Sequence, residues 1–244
     1  MASTMLRLEN VSVFYGAFQV LWDVSLDVPE GTTACVLGPN GAGKSTVLKA
    51  MAGLVPVRGR VLYRGQDISR LPAARRVGLG MSLILERRRL FTGMTARENL
   101  LLGGYLLPRV RRDERLREVV SLVPGVDALL GKRAGDLSGG QQQLIAIARG
   151  LMAEPSLLLL DEPFLGLSPK AVNEVEAIIM SLGRAGMTIV FNEQNVRKSL
   201  AMSDRAVLLE GGRLIAAGPS AEIGAGDIVQ RVYFGTHVAQ GGAA

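Results

Sequence analysis

The chain has 244 residues, 48% of them apolar, and a formal charge of +6. That is enough to bury a substantial core, as one large α/β unit or as a core plus a subdomain. The single cysteine, Cys35, excludes an internal disulfide and points to a reducing compartment, Met1–Asn10 lacks the apolar centre of a signal peptide, and no run approaches the roughly 18 apolar residues of a spanning helix.

A soluble protein is therefore expected, one that meets a membrane only through a partner or at its surface. Cys35 lies in the apolar stretch Thr33–Leu37 and reads as a small buried residue rather than a reactive thiol. Arginine outnumbers lysine 23 to 5, and eleven Arg fall between Arg75 and Arg117. No aromatics interleave with them to stack bases, so a solvated surface is favoured and no nucleic-acid partner is expected.

Leu6–Val13 and Val20–Val28 alternate apolar and polar residues, predicting two antiparallel strands. Thr33–Leu37 is a short apolar strand before a glycine-rich loop, and Thr46–Gly53 continues as a helix stopping at glycine. Arg60–Tyr63 and Val77–Leu85 predict further strands, the second buried on both faces. Ala96–Leu107, Arg112–Val123 and Gly140–Ala153 have helical periodicity, so 92–152 reads as a helical insertion. Ser156–Leu160 returns to strand. Pro169–Arg184 predicts an amphipathic helix, Thr188–Asn192 a strand and Val196–Met202 a short helix. Arg205–Glu210 and Arg213–Ala217 predict a hairpin turning at Gly211-Gly212. Asp227–Phe234 predicts a last helix, and the tail 236–244 is expected to be disordered. Strands alternating with helices imply an α/β fold with a mainly parallel core sheet; the first strands add an antiparallel β flank.

Gly38-Pro39-Asn40-Gly41-Ala42-Gly43-Lys44-Ser45 fits the G-x-x-x-x-G-K-[ST] phosphate loop between a strand and a helix. Such a loop turns successive backbone N–H groups toward phosphate oxygens, and the following helix, entered at Thr46, adds its positive end. ATP is the expected ligand. Lys44 would reach the β- and γ-phosphates, and the Ser45 hydroxyl would ligate Mg2+. The apolar strand Leu157–Leu160 ends in Asp161 and Glu162. Asp161 would hold Mg2+ through water, and Glu162 would polarise the attacking water as a general base.

Upstream, Leu137-Ser138-Gly139-Gly140-Gln141 opens a helix. With the two acidic and phosphate stations it resembles the signature motif of ATP-binding-cassette (ABC) ATPases. The serine hydroxyl and glycine N–H groups at a helix start make an anion site, and Ser138 also reads as an ordinary N-cap. The resemblance covers 5–235, with 92–152 as a helical subdomain carrying the signature. It implies a P-loop NTPase fold of the ABC-ATPase type and a head-to-tail pair with a second ABC ATPase subunit, the same or different. In that pair Ser138, Gly139, Gly140 and Gln141 would cap ATP on the partner's loop. It also implies that Tyr15 stacks on adenine and that Phe164–Pro169 crosses the interface.

Three stations depart from the usual pattern. In Leu83-Ile84-Leu85-Glu86-Arg87-Arg88-Arg89-Leu90-Phe91, Glu86 takes the place of a glutamine near Mg2+ and the attacking water. The segment is similar to the V-P-E-G-R-R-L-F stretch of ATPases serving branched-chain amino-acid importers, with Ile84-Leu85 and Arg87 in place of Val-Pro and Gly. Asn192-Glu193-Gln194-Asn195 puts Gln194 where a γ-phosphate histidine is usual, again as in that group, and Tyr233-Phe234-Gly235 fits its closing residues. Phe164 replaces a serine or threonine, and its bulk is expected to press on the interface or on the phosphate loop. The resemblance implies an ATP-hydrolysing subunit, cytoplasmic and peripheral on the inner face of the membrane, energising an importer of branched-chain or other hydrophobic amino acids through membrane-spanning permease subunits. Another ABC transporter, such as a lipid or lipopolysaccharide exporter, a soluble non-transport ABC ATPase, and a catalytically weak half-site stay open beside it.

Overall fold

The computed structural model describes residues 3–234. The expected disordered tail at 236–244 and His237 lie outside them. The chain opens with β1 (Thr4–Tyr15) and β2 (Phe18–Pro29) as an antiparallel hairpin. In β2, Val24, Leu26 and Val28 are buried while Ser25 and Asp27 are exposed, the alternation a half-buried strand requires. Next come β3 (Thr33–Leu37), α1 (Lys44–Ala52), β4 (Arg58–Tyr63), the two-residue β5 (Gln66–Asp67), α2 (Ala73–Gly78) and β6 (Met81–Ile84). A helical stretch follows: α3 (Ala96–Gly103), α4 (Arg109–Leu122) and α5 (Gly139–Leu151). An isolated bridge between Thr95 and Arg133 ties its base. The chain then returns to β7 (Leu157–Asp161), α6 (Pro169–Arg184), β8 (Thr188–Asn192), α7 (Val196–Met202), β9 (Arg205–Glu210), β10 (Arg213–Pro219), α8 (Ser220–Ala225) and α9 (Ile228–Phe234).

Two sheets result. One is four-stranded and antiparallel, in the order β2-β1-β4-β5. The other has the order β10-β9-β3-β8-β7-β6, parallel except for the β9–β10 hairpin. Every residue of β3, β7 and β8 is buried, so these three strands form the centre that both layers cover. Their carboxyl ends lie side by side, and the register pairs Asp161 directly with Asn192. The α/β class, the parallel core and the antiparallel flank are as expected from the strand patterns.

Three local expectations change. Val77–Leu85 is not one strand: Val77 and Gly78 close α2, Gly80 turns at φ 92° and only Met81–Ile84 joins the sheet. A short apolar run does not distinguish a helix end from a strand. The helix from Ala96 stops at Gly103, with Gly104 as its C-cap; a Cβ on Gly103 would lie 2.1 Å from the Arg149 carbonyl oxygen, so α3 packs closely on α5 there. Arg76, read as part of a solvated basic surface, is 1% exposed. Its guanidinium donates to the carbonyls of Ala50, Met51, Leu71 and Ser69. It thus satisfies carbonyls at the C-terminal end of α1 that the helix itself leaves free, and burial lowers its pKa to about 10.

Candidate nucleotide site

The loop after β3 is shaped by contacts that leave no room for side chains. Gly38 has φ 150°, and a Cβ there would lie 2.3 Å from the Leu209 carbonyl oxygen. Gly43 has φ 97°, and its Cβ would meet Leu21 Cδ2 at 2.6 Å. Gly43 is also the N-cap of α1 and offers no side-chain cap, so the first N–H groups of that helix face the loop uncapped, as an anion site needs. Lys44 is 5% exposed, and its Nζ donates to the carbonyls of Gly38 at 2.8 Å and Pro39 at 3.1 Å. Burial lowers its pKa, against the opposing pull of Glu162, Glu193 and Asp161. The ammonium is thus held on the loop's own carbonyls, within the field of three carboxylates.

Ser45 and Asp161 meet at the next station. The Ser45 hydroxyl donates to Asp161 Oδ1 at 2.6 Å. Asn192, 0% exposed, donates from Nδ2 to the same oxygen at 2.7 Å and to Ser45 Oγ at 3.3 Å. Its Oδ1 accepts the Glu162 N–H at 2.6 Å. Glu162 has φ 47°, a left-handed conformation that costs a non-glycine residue about 1–2 kcal/mol. Asn192 therefore ties Ser45, Asp161 and the backbone of Glu162 into one unit. Sequence reasoning did not single it out; the available signal was a polar residue ending an apolar strand, as Asp161 does.

Gln194 Nε2 donates to both carboxylate oxygens of Glu162, at 3.1 and 3.2 Å. Glu193 folds back, its carboxylate accepting the N–H of Gln194 at 2.5 Å and of Asn195 at 3.3 Å. Glu86 shares a cavity of about 170 Å³ with Glu162, Gln143 and Leu165. The loop that bears Glu86 runs through Arg87, Arg88 and Arg89, all left-handed at φ 63°, 61° and 49°. Arg149 donates to the carbonyls of Arg88 and Arg89 at 3.0 and 2.9 Å.

Tyr15 ends β1 at the hairpin turn, 45% exposed. The hairpin continues to Val20 and Leu21, whose atoms touch Gly43 and Gly212, so the turn lies on the loop's side of the molecule. Ser138 caps α5 in a capping box: its hydroxyl accepts the Gln141 N–H at 3.3 Å, and Gln141 Oε1 accepts the Ser138 N–H at 3.0 Å. Gly140 packs against Ala171, which a Cβ would meet at 2.6 Å. Ser138, Gly139, Gly140 and Gln141 line a separate cavity of about 360 Å³ with Gly166, Ser168 and Lys170, and no residue of Gly38–Thr46 lines it. The two glycine-rich stations of the chain therefore do not share this cavity.

Phe164 does not press on the phosphate loop. It is 8% exposed and packs in the core cluster with Val175 and Ile179 of α6. Lys198 Nζ lies 4.8 Å from its ring centroid and pairs with Glu176 at 2.6 Å. The bulk that looked awkward from sequence is absorbed inward.

The sequence profile described as ABC transporter matches residues 21–165. The high-affinity branched-chain amino acid transport ATP-binding protein BraG of Pseudomonas aeruginosa is 38% identical over 95% of this chain and 100% of its own length. The lipopolysaccharide export system ATP-binding protein LptB of Acidithiobacillus ferridurans is 35% identical over 96% of this chain and 98% of its own. A crystal structure of a nucleotide-free ATP-binding cassette from an ABC transporter superposes with a TM-score of 0.85 at 26% identity, covering 95% of this chain and 99% of that one. The phosphate loop, the acidic pair beside it and these likenesses together establish that the chain belongs to the ABC transporter family, as one of its ATPase cassettes.

Proposed function

We propose that the chain is the ATP-hydrolysing subunit of an importer for branched-chain or other hydrophobic amino acids. The observation that supports its chemistry best is the convergence of Ser45, Asp161, Asn192 and Glu162 beside the phosphate loop. Gly38–Thr46 cradles the phosphates of ATP, with Lys44 leaving its own carbonyls to meet the γ-phosphate, and Tyr15 stacks on the adenine. The oxygens of Ser45 and Asp161, 2.6 Å apart, suit a hard cation that keeps part of its water shell, as Mg2+ does. A magnesium ion held there neutralises charge on the phosphate oxygens. Glu162 orients and deprotonates the attacking water; Gln194 fixes its carboxylate, and Glu86 faces the same cavity.

Two considerations support a head-to-tail pair of cassettes. The signature Ser138–Gln141 occupies a concavity that the chain's own loop does not share, and an anion station of that kind needs a phosphate from elsewhere. The domain reading is that 5–235 forms one cassette and 92–152 its helical arm. The exposed Phe91, Tyr105, Leu106 and Val110 on and beside that arm suit a permease loop. No helix among the described residues is long and apolar enough to cross a membrane, so such a permease would hold the chain at the cytoplasmic face.

The amino-acid reading rests on the Glu86–Phe91 and Glu193–Asn195 segments and on the likeness to BraG. The likeness to LptB keeps lipopolysaccharide export as the second reading. The deciding experiment purifies the chain with its membrane partners, reconstitutes the complex in ATP-loaded vesicles and measures uptake of labelled leucine. ATP-dependent uptake that Glu162→Gln abolishes supports the proposal. ATPase activity without uptake of any hydrophobic amino acid, but with release of lipopolysaccharide, would replace it by the second reading.

A further inference from the structure

The last helix reaches the phosphate loop. The Gly38 N–H, the first amide of the loop, donates to the Tyr233 hydroxyl oxygen at 2.6 Å across 195 residues of chain. Ile228, Val229, Val232 and Tyr233 pack α9 on the larger core cluster, which includes Cys35 and Leu37 of β3. Gly38 is therefore gripped from two sides, with the Leu209 carbonyl of β9 crowding its Cα and Tyr233 holding its N–H. Burial raises the Tyr233 pKa above that of a free phenol, so the hydroxyl stays a neutral acceptor throughout the neutral range.

We infer that Tyr233 is a positioning residue for ATP binding, fixing the peptide plane from which the phosphate loop starts. The inference rests on reading Gly38–Thr46 as the ATP cradle. The physical argument is one of direction. A buried backbone N–H must find a partner. If Gly38 spends its N–H on Tyr233, it is not free to turn into the loop, and the peptides that follow start from one orientation. With the hydroxyl removed, the Gly38 N–H must seek an acceptor within the loop, where the carbonyls of Gly38 and Pro39 already serve Lys44. The loop then samples several shapes, and ATP selects the competent one at a cost in affinity.

The test is Tyr233→Phe in the full chain, which keeps the ring and removes the oxygen. A net hydrogen bond of about 1 kcal/mol corresponds to a roughly fivefold rise in the Kd and KM for ATP. kcat is expected to stay within about twofold, since Glu162 and Gln194 are untouched. Val232→Ala, which loosens α9 but keeps the hydroxyl, is expected to leave KM at the parent value. Amide exchange of the peptide spanning β3 and the loop gives a second readout: it is expected to be slow in the parent and faster in Tyr233→Phe. An unchanged KM in Tyr233→Phe, an equal rise in Val232→Ala, or unprotected exchange in the parent overturns the inference. Lys44→Ala separates this from the underlying reading. If Lys44→Ala still binds ATP at parent affinity, the cradle itself is misassigned; if it loses ATP while Tyr233→Phe binds normally, only the role of Tyr233 fails.

Discussion

Replacing Asn192 by alanine tests the link between the strand ends and the carboxylate of Glu162, the proposed general base. The substitution removes the acceptor for the Glu162 N–H and the donor to Asp161 and Ser45, all at a residue with no solvent exposure. An orphaned buried amide costs about 1–3 kcal/mol, with the half-buried Glu162 N–H at the low end of that range, and a lost hydrogen bond to a charged carboxylate about 1.5–3 kcal/mol. Asp161 keeps the Ser45 hydroxyl, which softens the second loss, so a net destabilisation of about 2–4 kcal/mol is expected. The kinetic effect should be separable. Glu162 holds its left-handed backbone through the Asn192 bond, and its release costs the placement of the proposed general base. A loss of about 2 kcal/mol in the transition state lowers kcat about 30-fold, while KM for ATP moves little because Gly38–Lys44 is untouched. Urea unfolding reads the first quantity and steady-state ATPase the second. A variant with unchanged midpoint and unchanged kcat would show that the Asn192 bonds carry neither stability nor placement.

Phe164→Ser should destabilise the chain by about 3–4 kcal/mol in the same unfolding assay, because it removes a buried aromatic and its contact with the Lys198 ammonium, which keeps only Glu176; a neutral result would return Phe164 to the interface. Arg87→Gly should stabilise it by up to about 1 kcal/mol, since glycine accepts φ 63° without strain and the exposed Arg87 side chain makes only a 3.5 Å pair with Glu86; a midpoint shift downward contradicts the strain. Cys35, whose thiol pKa burial raises to about 11, should resist iodoacetamide at pH 8 until the chain unfolds. Its linkage has a definite sign: the unfolded thiol ionises near its ordinary value of 9.0 and the native one near 11, so this contribution to stability is present below pH 9 and is lost as pH rises from 9 to 11. Cys35→Ala should abolish that alkaline slope. The pH–rate profile should show no group near 6.5 that disappears in Gln194→Ala, because an amide cannot titrate; finding one would refute the role given to Gln194.

What could be read in advance was what is local. The phosphate loop, the acidic strand end and the helix caps are written in consecutive residues whose backbone demands are known, and strands β3, β7 and β8 announce themselves as short apolar runs. The features that escaped are made by residues far apart in sequence. Asn192 matters because the register sets it against Asp161. Arg76 looked like surface charge because its acceptors, the last carbonyls of α1, lie 25 and 26 residues away. Phe164 looked obstructive because Lys198 and α6, which receive it, come later in the chain. The extent of β6 was misread for a different reason: Val77 and Gly78 have the same apolar character in a helix end as in a strand.

The run Arg87–Arg89 has one more consequence. Three left-handed arginines raise their resting shape by about 3–6 kcal/mol over a relaxed loop, and the grip of Arg149 on two of their carbonyls offsets part of that. Such a segment holds stored energy that a relaxed loop lacks. Arg87 and Arg88 line the cavity that Glu86 shares with Glu162, so the strain of this run is stored in the wall of that cavity and its relief would reshape the space beside both carboxylates.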